Sequence, residues 1–327
     1  MRDCKEKNQI LFVAMNCILG YTKFDTPVLA CMYRKDTGGF DLKFIYKLTA
    51  AAAAVFGGIC LLRSQYERDQ LVTEYFEIHS PKIKGEKKRY VFLTDLHDKE
   101  FGKNNERLME AIREAKPDAV LIGGDMMVAK GKGDLSVSLR FLEQLTKEFP
   151  VYHANGNHEM RLRDETDTYG DKYRVYRKKL WEMGVTFLSN SQTSLSEDID
   201  LYGLDLKADY YEPGYPKMDH GYMSQVFEKP NPDKFNLLLV HSPMYFKEYT
   251  EWGADLTLSG HFHGGTIRIP YLGGLMTPQY QFFFPWCAGL FEGKNGRKLL
   301  VGRGLGTHSI NIRLNDKPQV VVVDILK

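Results

Sequence analysis

The pattern of apolar and polar residues changes near residue 90. From there to the C-terminus, apolar runs of four to six residues alternate with segments in which apolar residues recur at helical spacing. The runs predict strands at residues 90–94, 119–122, 151–154, 235–240, 254–258 and 320–325, and the intervening segments predict helices at 105–115, 135–149 and 173–183. Alternation of this kind is typical of an α/β domain.

The first 89 residues follow a different pattern. Residues 48–62 (LTAAAAAVFGGICLL) are uncharged and mostly apolar, and extending the segment back to residue 44 adds only one charge, Lys47. A spanning helix needs about 20 such residues, and a lysine near one end can reach the headgroups, so we expect a single transmembrane helix at 48–62. The alternative is an Ala-rich helix packed on the domain.

Charges flanking this helix predict its orientation. More basic residues lie before it than directly after it: Arg34, Lys35, Lys43 and Lys47 precede it, whereas Arg63 and Arg68 follow. The positive-inside rule then places the N-terminus in the cytoplasm and the large domain outside. We therefore expect a single-pass protein of the cell membrane.

The chain thus divides into a leader at 1–47, the candidate transmembrane helix, a polar linker at 63–89 and a domain at 90–327. Within the leader, the apolar run 10–20 fits a signal-type segment, an interfacial segment or neither. Residues 28–31 resemble a lipoprotein box, and Met32 is an alternative start that would leave 1–31 as a mis-annotated extension.

Composition narrows the class of protein. With 43% hydrophobic and 26% charged residues among 327, the chain is globular, which excludes a disordered protein or a polytopic membrane protein. Its 44 basic and 42 acidic residues give a net charge of +2, so we expect no nucleic-acid partner. Only Cys287 lies beyond residue 60, so the domain has no internal disulfide. We expect a monomer.

Residues with metal-binding side chains follow five of the predicted strands. They are Asp95-Leu96-His97, Gly124-Asp125, Gly156-Asn157-His158, His241 and Gly260-His261-Phe262-His263. Because the carboxyl ends of neighbouring strands meet at one edge of an α/β sheet, we expect these side chains to converge. Within the two pairs Asp95/His97 and His261/His263, a spacing of two on extended backbone would put both side chains on one face.

The number of donors indicates how many ions they hold. The ligand candidates are Asp95, His97, Asp125, Asn157, His241, His261 and His263, with His158 left over. Seven ligands are too many for one ion with an open position, so we expect two ions that share a carboxylate, for which Asp125 is the best placed. Nitrogen and oxygen donors without thiolate favour Mn, Fe, Zn or Ni, and we expect Mn in at least one position.

The ordered blocks D-x-H, G-D, G-N-H-E, a single His and G-H-x-H resemble the calcineurin-like metallophosphoesterases over residues 90–327. The segments H-x-H-G-G and Arg303-Gly304-Leu305-Gly306 are similar to the membrane-associated bacterial branch of that family. The resemblance implies a four-layer αββα sandwich with two mixed β-sheets and a dinuclear metal site at one edge. It also implies that Asp95, His97, Asp125 and His263 hold one metal, and that Asp125, Asn157, His241 and His261 hold the other.

The expected function is metal-dependent hydrolysis of phosphoric esters at the cell envelope, at a phosphodiester or pyrophosphate bond, by water activated between two ions. Asp125 and His158 are the expected catalytic residues, with His158 protonating the leaving group or stabilising the transition state. A phosphorylated small molecule, a lipid and a wall polymer all remain open as substrates. The alternative is a non-catalytic scaffold with the same fold.

Two other segments bear on the substrate. Residues 276–291 are unusually aromatic, which fits either core packing or an aromatic rim that touches a membrane or an acylated substrate. Residues 210–222, rich in Tyr, Pro and Gly, predict a loop beside the cleft. His153 lies within a predicted strand and is interpreted as structural.

Overall fold

The computed structural model describes residues 42–131, 133–214, 216–307 and 311–327. The hypotheses about the apolar run 10–20, the lipoprotein-like residues 28–31 and a start at Met32 fall outside these residues. Contacts divide the chain after Phe56, and Gly57–Lys327 is one compact unit.

All of the predicted helices and strands are present, together with others that the sequence pattern did not predict. The α-helices are α1 (Leu42–Glu67), α2 (Glu106–Ala115), α3 (Ser136–Thr146), α4 (Asn157–Asp164), α5 (Thr166–Tyr169), α6 (Lys172–Glu182), α7 (Tyr222–Val226) and α8 (Phe246–Trp252). The strands are β1 (Val72–His79), β2 (Lys88–Leu93), β3 (Ala119–Ile122), β4 (Val151–Ala154), β5 (Thr186–Leu188), β6 (Ser191–Ser194), β7 (Ile199–Leu204), β8 (Phe235–Val240), β9 (Leu256–Ser259), β10 (Arg268–Ile269), β11 (Gly273–Gly274), β12 (Gly289–Glu292), β13 (Lys298–Val301) and β14 (Gln319–Leu326). Short 3₁₀ turns occupy Lys103–Asn105, Ala208–Tyr211, Pro243–Tyr245, His263–Gly265 and Lys294–Gly296.

Two six-stranded sheets of mixed direction form the centre of the domain. The first has the order β1-β14-β2-β3-β4-β5, in which β2 to β5 are parallel and β14 runs antiparallel to β2. The second has the order β12-β13-β9-β8-β7-β6, in which the four middle strands are parallel and each edge strand is antiparallel to its neighbour. β10 and β11 form a separate hairpin.

Side-chain alternation along the strands creates the layers. In β2, Val91 and Leu93 face a core shared with α2, α3 and α6, whereas Tyr90 and Phe92 face a core shared with the second sheet. The opposite face of the second sheet packs against α7 and α8 through a third core. The predicted four-layer αββα architecture is therefore confirmed.

Residues 63–89 differ from the linker that the sequence led us to expect. They contain the last turn of α1 and the whole of β1, which pairs in parallel with β14 at the edge of the first sheet. Because an edge strand keeps one side exposed, β1 carries charged residues and reads as polar, although Ile78 is fully buried and Glu74 pairs with Arg303. The linker assignment was therefore wrong for these residues.

α1 extends beyond the predicted segment 48–62 in both directions. Its stretch Lys43–Glu67 has a mean hydropathy of 1.8 in its most apolar window, none of which is buried. Leu61 and Leu62 remain 61% and 72% exposed, which a helix buried against the domain would not show. The last turn does dock on the domain, since Arg313 N–H donates to Ser64 Oγ and Asp316 N–H donates to Glu67 Oε2.

Candidate metal centre

All seven predicted ligands and His158 come together where the two sheets meet. They lie directly after β2, β3, β4, β8 and β9, the strand ends that the sequence indicated. Every one is buried except Asn157, which is partly exposed at the start of α4. The convergence follows from the parallel order β2-β3-β4 in one sheet and β8-β9 in the other.

The side chains form two main groups around Asp125. The first contains Asp95, His97 and His263, and the second contains Asp125, His241 and His261, with candidate ligand atoms in each group within 4.8 Å of one another. A third group at the same spacing, His97, Asp125 and His158, overlaps both. Asp125 Oδ2 lies 3.0 Å from His241 Nε2 and 3.7 Å from His97 Nε2. Asp125 therefore lies between the groups, where one carboxylate can serve both.

Two of the histidines are fixed in the tautomer that a metal ligand needs. His241 Nδ1 lies 2.8 Å from the carbonyl oxygen of Gly123, and His263 Nδ1 lies 3.1 Å from that of Gly306. A carbonyl oxygen only accepts, so each Nδ1 carries a hydrogen and a neutral ring presents a lone pair at Nε2. Both Nε2 atoms face carboxylates, at 3.0 Å from Asp125 and 3.4 Å from Asp95.

His158 has the opposite arrangement. The backbone N–H of Ala129 donates to its Nδ1 at 2.8 Å, so the neutral ring carries its hydrogen on Nε2. That Nε2 lies 4.0 Å from Asp125 Oδ2. The ring presents a donor to the centre instead of a lone pair, which suits a contact with an oxygen of a bound molecule better than a bond to a metal.

The buried charges in the centre favour a cation. Burial raises the pKa of Asp95, and it acts in the same direction on Asp125, where the charge of His241 is the largest opposing effect and the pKa is held well below its usual range. Burial lowers the pKa of His241, but Asp125 and Asp95 raise it to about 10. Two carboxylates therefore draw positive charge into the centre.

The donors fit divalent cations. Asn157 Oδ1 is buried and has no hydrogen-bond partner among the described residues, as expected of an amide oxygen that binds a metal. The set combines imidazole nitrogen with carboxylate and amide oxygen and contains no thiolate.

The backbone reaches this arrangement through left-handed turns. The extended conformation assumed for Asp95/His97 and His261/His263 was wrong: φ is 53°, 47°, 67° and 47° at Asp95, His97, His261 and His263, and 56° at Asp125. Each such residue costs about 1 kcal/mol or more. The turns are held by hydrogen bonds between loops, such as Asp95 N–H to Gly124 O and His97 N–H to Asp125 O.

Glycine allows two of these loops to touch. A Cβ on Gly124, whose φ is +92°, would lie 2.1 Å from the backbone nitrogen of Gly156. A Cβ on Gly156 would lie 2.2 Å from Asp125 Oδ1. The loops after β3 and β4 therefore pack backbone against backbone at the bridging carboxylate.

Glu159 supports the same contact, and we had assigned it no role. It is fully buried and accepts from the backbone N–H groups of Asp125, Met126 and Gly156 at 2.8–2.9 Å. Burial, together with the charge of Asp125, raises its pKa to about 7. Glu159 is the last residue of the G-N-H-E block, but a carboxylate in the first turn of a helix usually faces solvent, so the sequence did not indicate this buried role.

Arg313 supports His263 from a distant part of the chain. It is 1% exposed, and its Nη2 donates at 2.7 Å to the carbonyl oxygen of Gly306, which also accepts from His263. No sequence pattern connects the two residues, because they are 50 positions apart.

A cavity of about 550 Å³ opens beside His158. Its lining includes His158, Asn157 and His261 of the centre as well as the exposed residues Lys130 and Arg161. The loop predicted beside the cleft contributes Tyr211, whose ring centroid lies 5.1 Å from that of His261, as well as Glu212 and Pro213. The cavity is much larger than a single phosphate group.

Comparisons with known proteins agree with this geometry. Residues 88–265 match the family model described as calcineurin-like phosphoesterase. The chain is 28% identical to the uncharacterized metallophosphoesterase YkuE of Bacillus subtilis over 216 residues, covering 64% of this chain and 68% of that one. It is 27% identical to phosphodiesterase YaeI of Escherichia coli over 245 residues, covering 73% and 82%.

A more distant relative is UDP-2,3-diacylglucosamine pyrophosphatase LpxG of Chlamydia trachomatis, which is 28% identical over 150 residues, covering 42% of this chain and 40% of that protein. The family model spans more than half of the chain and contains all seven candidate ligands. The chain therefore belongs to the calcineurin-like phosphoesterase family and is a phosphoric ester hydrolase.

Proposed function

We propose that this protein hydrolyses phosphodiester or pyrophosphate bonds at the cell membrane, with two divalent cations at the centre around Asp125. The observation that carries the proposal is the convergence of Asp95 and four histidines from two sheets around that carboxylate, beside His158, which presents a hydrogen. The cavity next to His158 provides the space for a substrate.

One cation would be held by Asp95, His97, Asp125 and His263, and the other by Asp125, Asn157, His241 and His261. Manganese suits at least one position, and iron, zinc and nickel suit the same donors. When bound, such a pair supplies a nucleophile derived from water and positive charge for the phosphoryl oxygens.

His158 acts in this scheme as a neutral hydrogen-bond donor. If it gave up its only hydrogen, a neutral ring would become an imidazolate, and the Ala129 N–H on Nδ1 disfavours the doubly protonated form. Of the two roles first considered, protonation of the leaving group is therefore the weaker. His158 Nε2–H would instead stabilise the negative charge that develops on an oxygen of the reacting phosphoryl group.

The cavity favours substrates with groups on both sides of the phosphorus. Its volume of about 550 Å³ accommodates a second substituent beyond the phosphoryl group. The basic residues Lys130 and Arg161 and the acidic residues Glu165 and Glu212 line it together, so the charge of the lining does not select that substituent. The names of the relatives YaeI, a phosphodiesterase, and LpxG, a pyrophosphatase, support the same bond classes. A phosphorylated small molecule, a lipid and a wall polymer each meet these requirements.

The proposed location rests on α1. Its length and exposed apolar surface suit one crossing of the membrane, and the basic residues before it favour a location of the domain on the outer side. The protein would act there as a monomer.

Hydrolysis of two chromogenic esters tests the function. Full-length protein with Mn²⁺ should cleave bis-p-nitrophenyl phosphate faster than p-nitrophenyl phosphate, and Asp125→Asn should abolish both activities. A faster reaction with the monoester would contradict the proposed bond class. Inactivity with every divalent metal would overturn the proposed hydrolysis and restore the non-catalytic alternative.

A further inference from the structure

A hairpin directly after the last two histidines has an unusual tip. β10 begins five residues after His263, and a turn at residues 269–272 leads to β11. The turn is closed by Leu272 N–H donating to Ile269 O at 3.1 Å, and Pro270 and Tyr271 occupy its two middle positions. Tyr271 has a φ of 67°. Proline followed by positive φ is the arrangement of a type II turn, whose third position normally holds glycine or asparagine.

Fold stability does not explain a tyrosine there. A bulky residue at positive φ strains the backbone, and Tyr271 recovers nothing through packing, because it is fully exposed. The neighbouring Leu272 is 52% exposed, and Tyr280 and Phe282 in the following aromatic segment are 68% and 56% exposed. A strained residue at an exposed apolar tip indicates that the tip interacts with something outside the folded domain.

The hairpin is attached to the end of α1. Arg63 Nη2 donates to Asn315 Oδ1 at 2.5 Å, and Asn315 Nδ2 donates to the carbonyl oxygen of Arg268 at 3.1 Å. Tyr271 lies three residues beyond Arg268, or about 10 Å along a strand. The base of the hairpin is therefore linked through Asn315 to the C-terminal end of α1.

We propose that Tyr271 and Leu272 insert into the membrane interface beside α1, as a second contact between the domain and the lipid surface. The proposal depends on the proposed membrane anchoring through α1. Tyrosine is enriched at the headgroup level, where its ring is partly apolar and its hydroxyl stays hydrated, and leucine suits the adjoining acyl region. Since the hairpin continues from the loop of His261 and His263, this contact would hold the metal centre close to the lipid surface.

Quenching by brominated lipid tests the contact in the full chain. Tyr271→Trp and Val175→Trp are each reconstituted into phosphatidylethanolamine–phosphatidylglycerol vesicles with and without dibrominated lipid. Val175 is a matched control, because it is 46% exposed on α6. After subtraction of the wild-type signal from the three native tryptophans, we expect the added emission at 271 to be quenched at least twofold more than that at 175.

A second variant separates membrane contact from folding. Tyr271→Gly removes the ring and relieves the positive φ, so the unfolding temperature should stay the same or rise. A lower unfolding temperature would show that Tyr271 supports the fold and would overturn the proposal.

The remaining outcomes distinguish this proposal from the proposed function. Equal quenching at 271 and 175 overturns the hairpin contact, as does failure of the full chain to float with vesicles. Hydrolysis of bis-p-nitrophenyl phosphate is measured on the same samples. Strong quenching without hydrolysis supports the hairpin contact and contradicts the proposed function. Hydrolysis without quenching contradicts the hairpin contact and supports the proposed function.

Discussion

At the residue scale, the partner of each Nδ1 atom distinguishes the histidines of the centre. A carbonyl oxygen holds His241 and His263 ready to bind a cation through Nε2, whereas a backbone N–H makes His158 a donor. The sequence could identify the set of histidines but could not assign these roles, because the partner groups come from loops far away in the chain.

Replacement of His158 tests its assigned role. His158→Ala should lower kcat about 100- to 1000-fold, as loss of one preorganised donor typically does, without changing the metal content. His158→Gln offers an amide N–H near the same place and should recover part of the rate. The measurements are steady-state kinetics on bis-p-nitrophenyl phosphate and elemental analysis of each variant.

The pH profile separates this role from general acid catalysis. If His158 only donates a hydrogen bond and delivers no proton, the shape of kcat against pH should be the same in His158→Ala as in the wild type. Loss of the alkaline limb in the variant would show that His158 delivers a proton, and loss of metal would show that it is a ligand.

His153 predicts an acid-sensitive stability that is unrelated to catalysis. It is fully buried between Tyr176 and Phe187, and burial lowers its pKa from 6.5 to about 3. As the pH falls below 6.5, this histidine takes up a proton in the unfolded chain but stays neutral in the folded protein. The free energy of unfolding is therefore unaffected above pH 6.5 and decreases as the pH falls from 6.5 towards 3. Between pH 7 and pH 5, this residue alone should lower the free energy of unfolding by about 2 kcal/mol.

His153→Gln is the comparison for this prediction. Glutamine can keep a hydrogen bond to Tyr176 and does not titrate, so the variant should lose less stability between pH 7 and pH 5. Urea unfolding of both proteins in the presence of a chelator measures the difference. Equal losses in the two proteins would show that other groups cause the acid sensitivity.

At the element scale, periodicity identified six buried strands but missed the edge strands and two buried strands of the second sheet, β7 and β13. β2, β3, β8 and β14 contain nearly continuous apolar runs because both of their faces are covered, whereas β4 and β9 also bury His153 and Thr257. β1, β6 and β12 lie at sheet edges and carry polar residues, so they read as linker or loop. The left-handed turns that aim Asp95 and His261 have no such signature, because each is stabilised by contacts between loops.

A substitution at Gly156 tests whether the loops after β3 and β4 must touch. Gly156→Ala places a Cβ against Asp125, so the loops should separate, the protein should lose about 1–3 kcal/mol of stability and manganese should bind more weakly. Gly85→Ala is the matched control, because its Cβ would meet only Asp198 Oδ2 at an ordinary 3.4 Å. Urea unfolding and manganese content after dialysis give the two readouts. Equal behaviour of the two variants would contradict the close contact.

At the scale of the whole molecule, the order of the motifs along the chain was sufficient to predict the fold and to identify which residues lie at the site. Strand ends converge in any α/β sheet of this kind, so Asp95, Asp125 and His241 could be brought together without coordinates. The supports Glu159 and Arg313 could not be found, since each acts through backbone groups that only the folded chain brings near. The cavity likewise depends on the loop of Tyr211, whose sequence predicted its position but not its contacts.

The count and position of bound cations test the central claim most directly. Full-length protein from cells grown with manganese, iron and zinc should contain two divalent cations per chain. Anomalous diffraction should locate them on either side of Asp125. Asp125→Asn should lose both. A centre that stays empty under these conditions, or a single cation retained by Asp125→Asn, would contradict a shared pair.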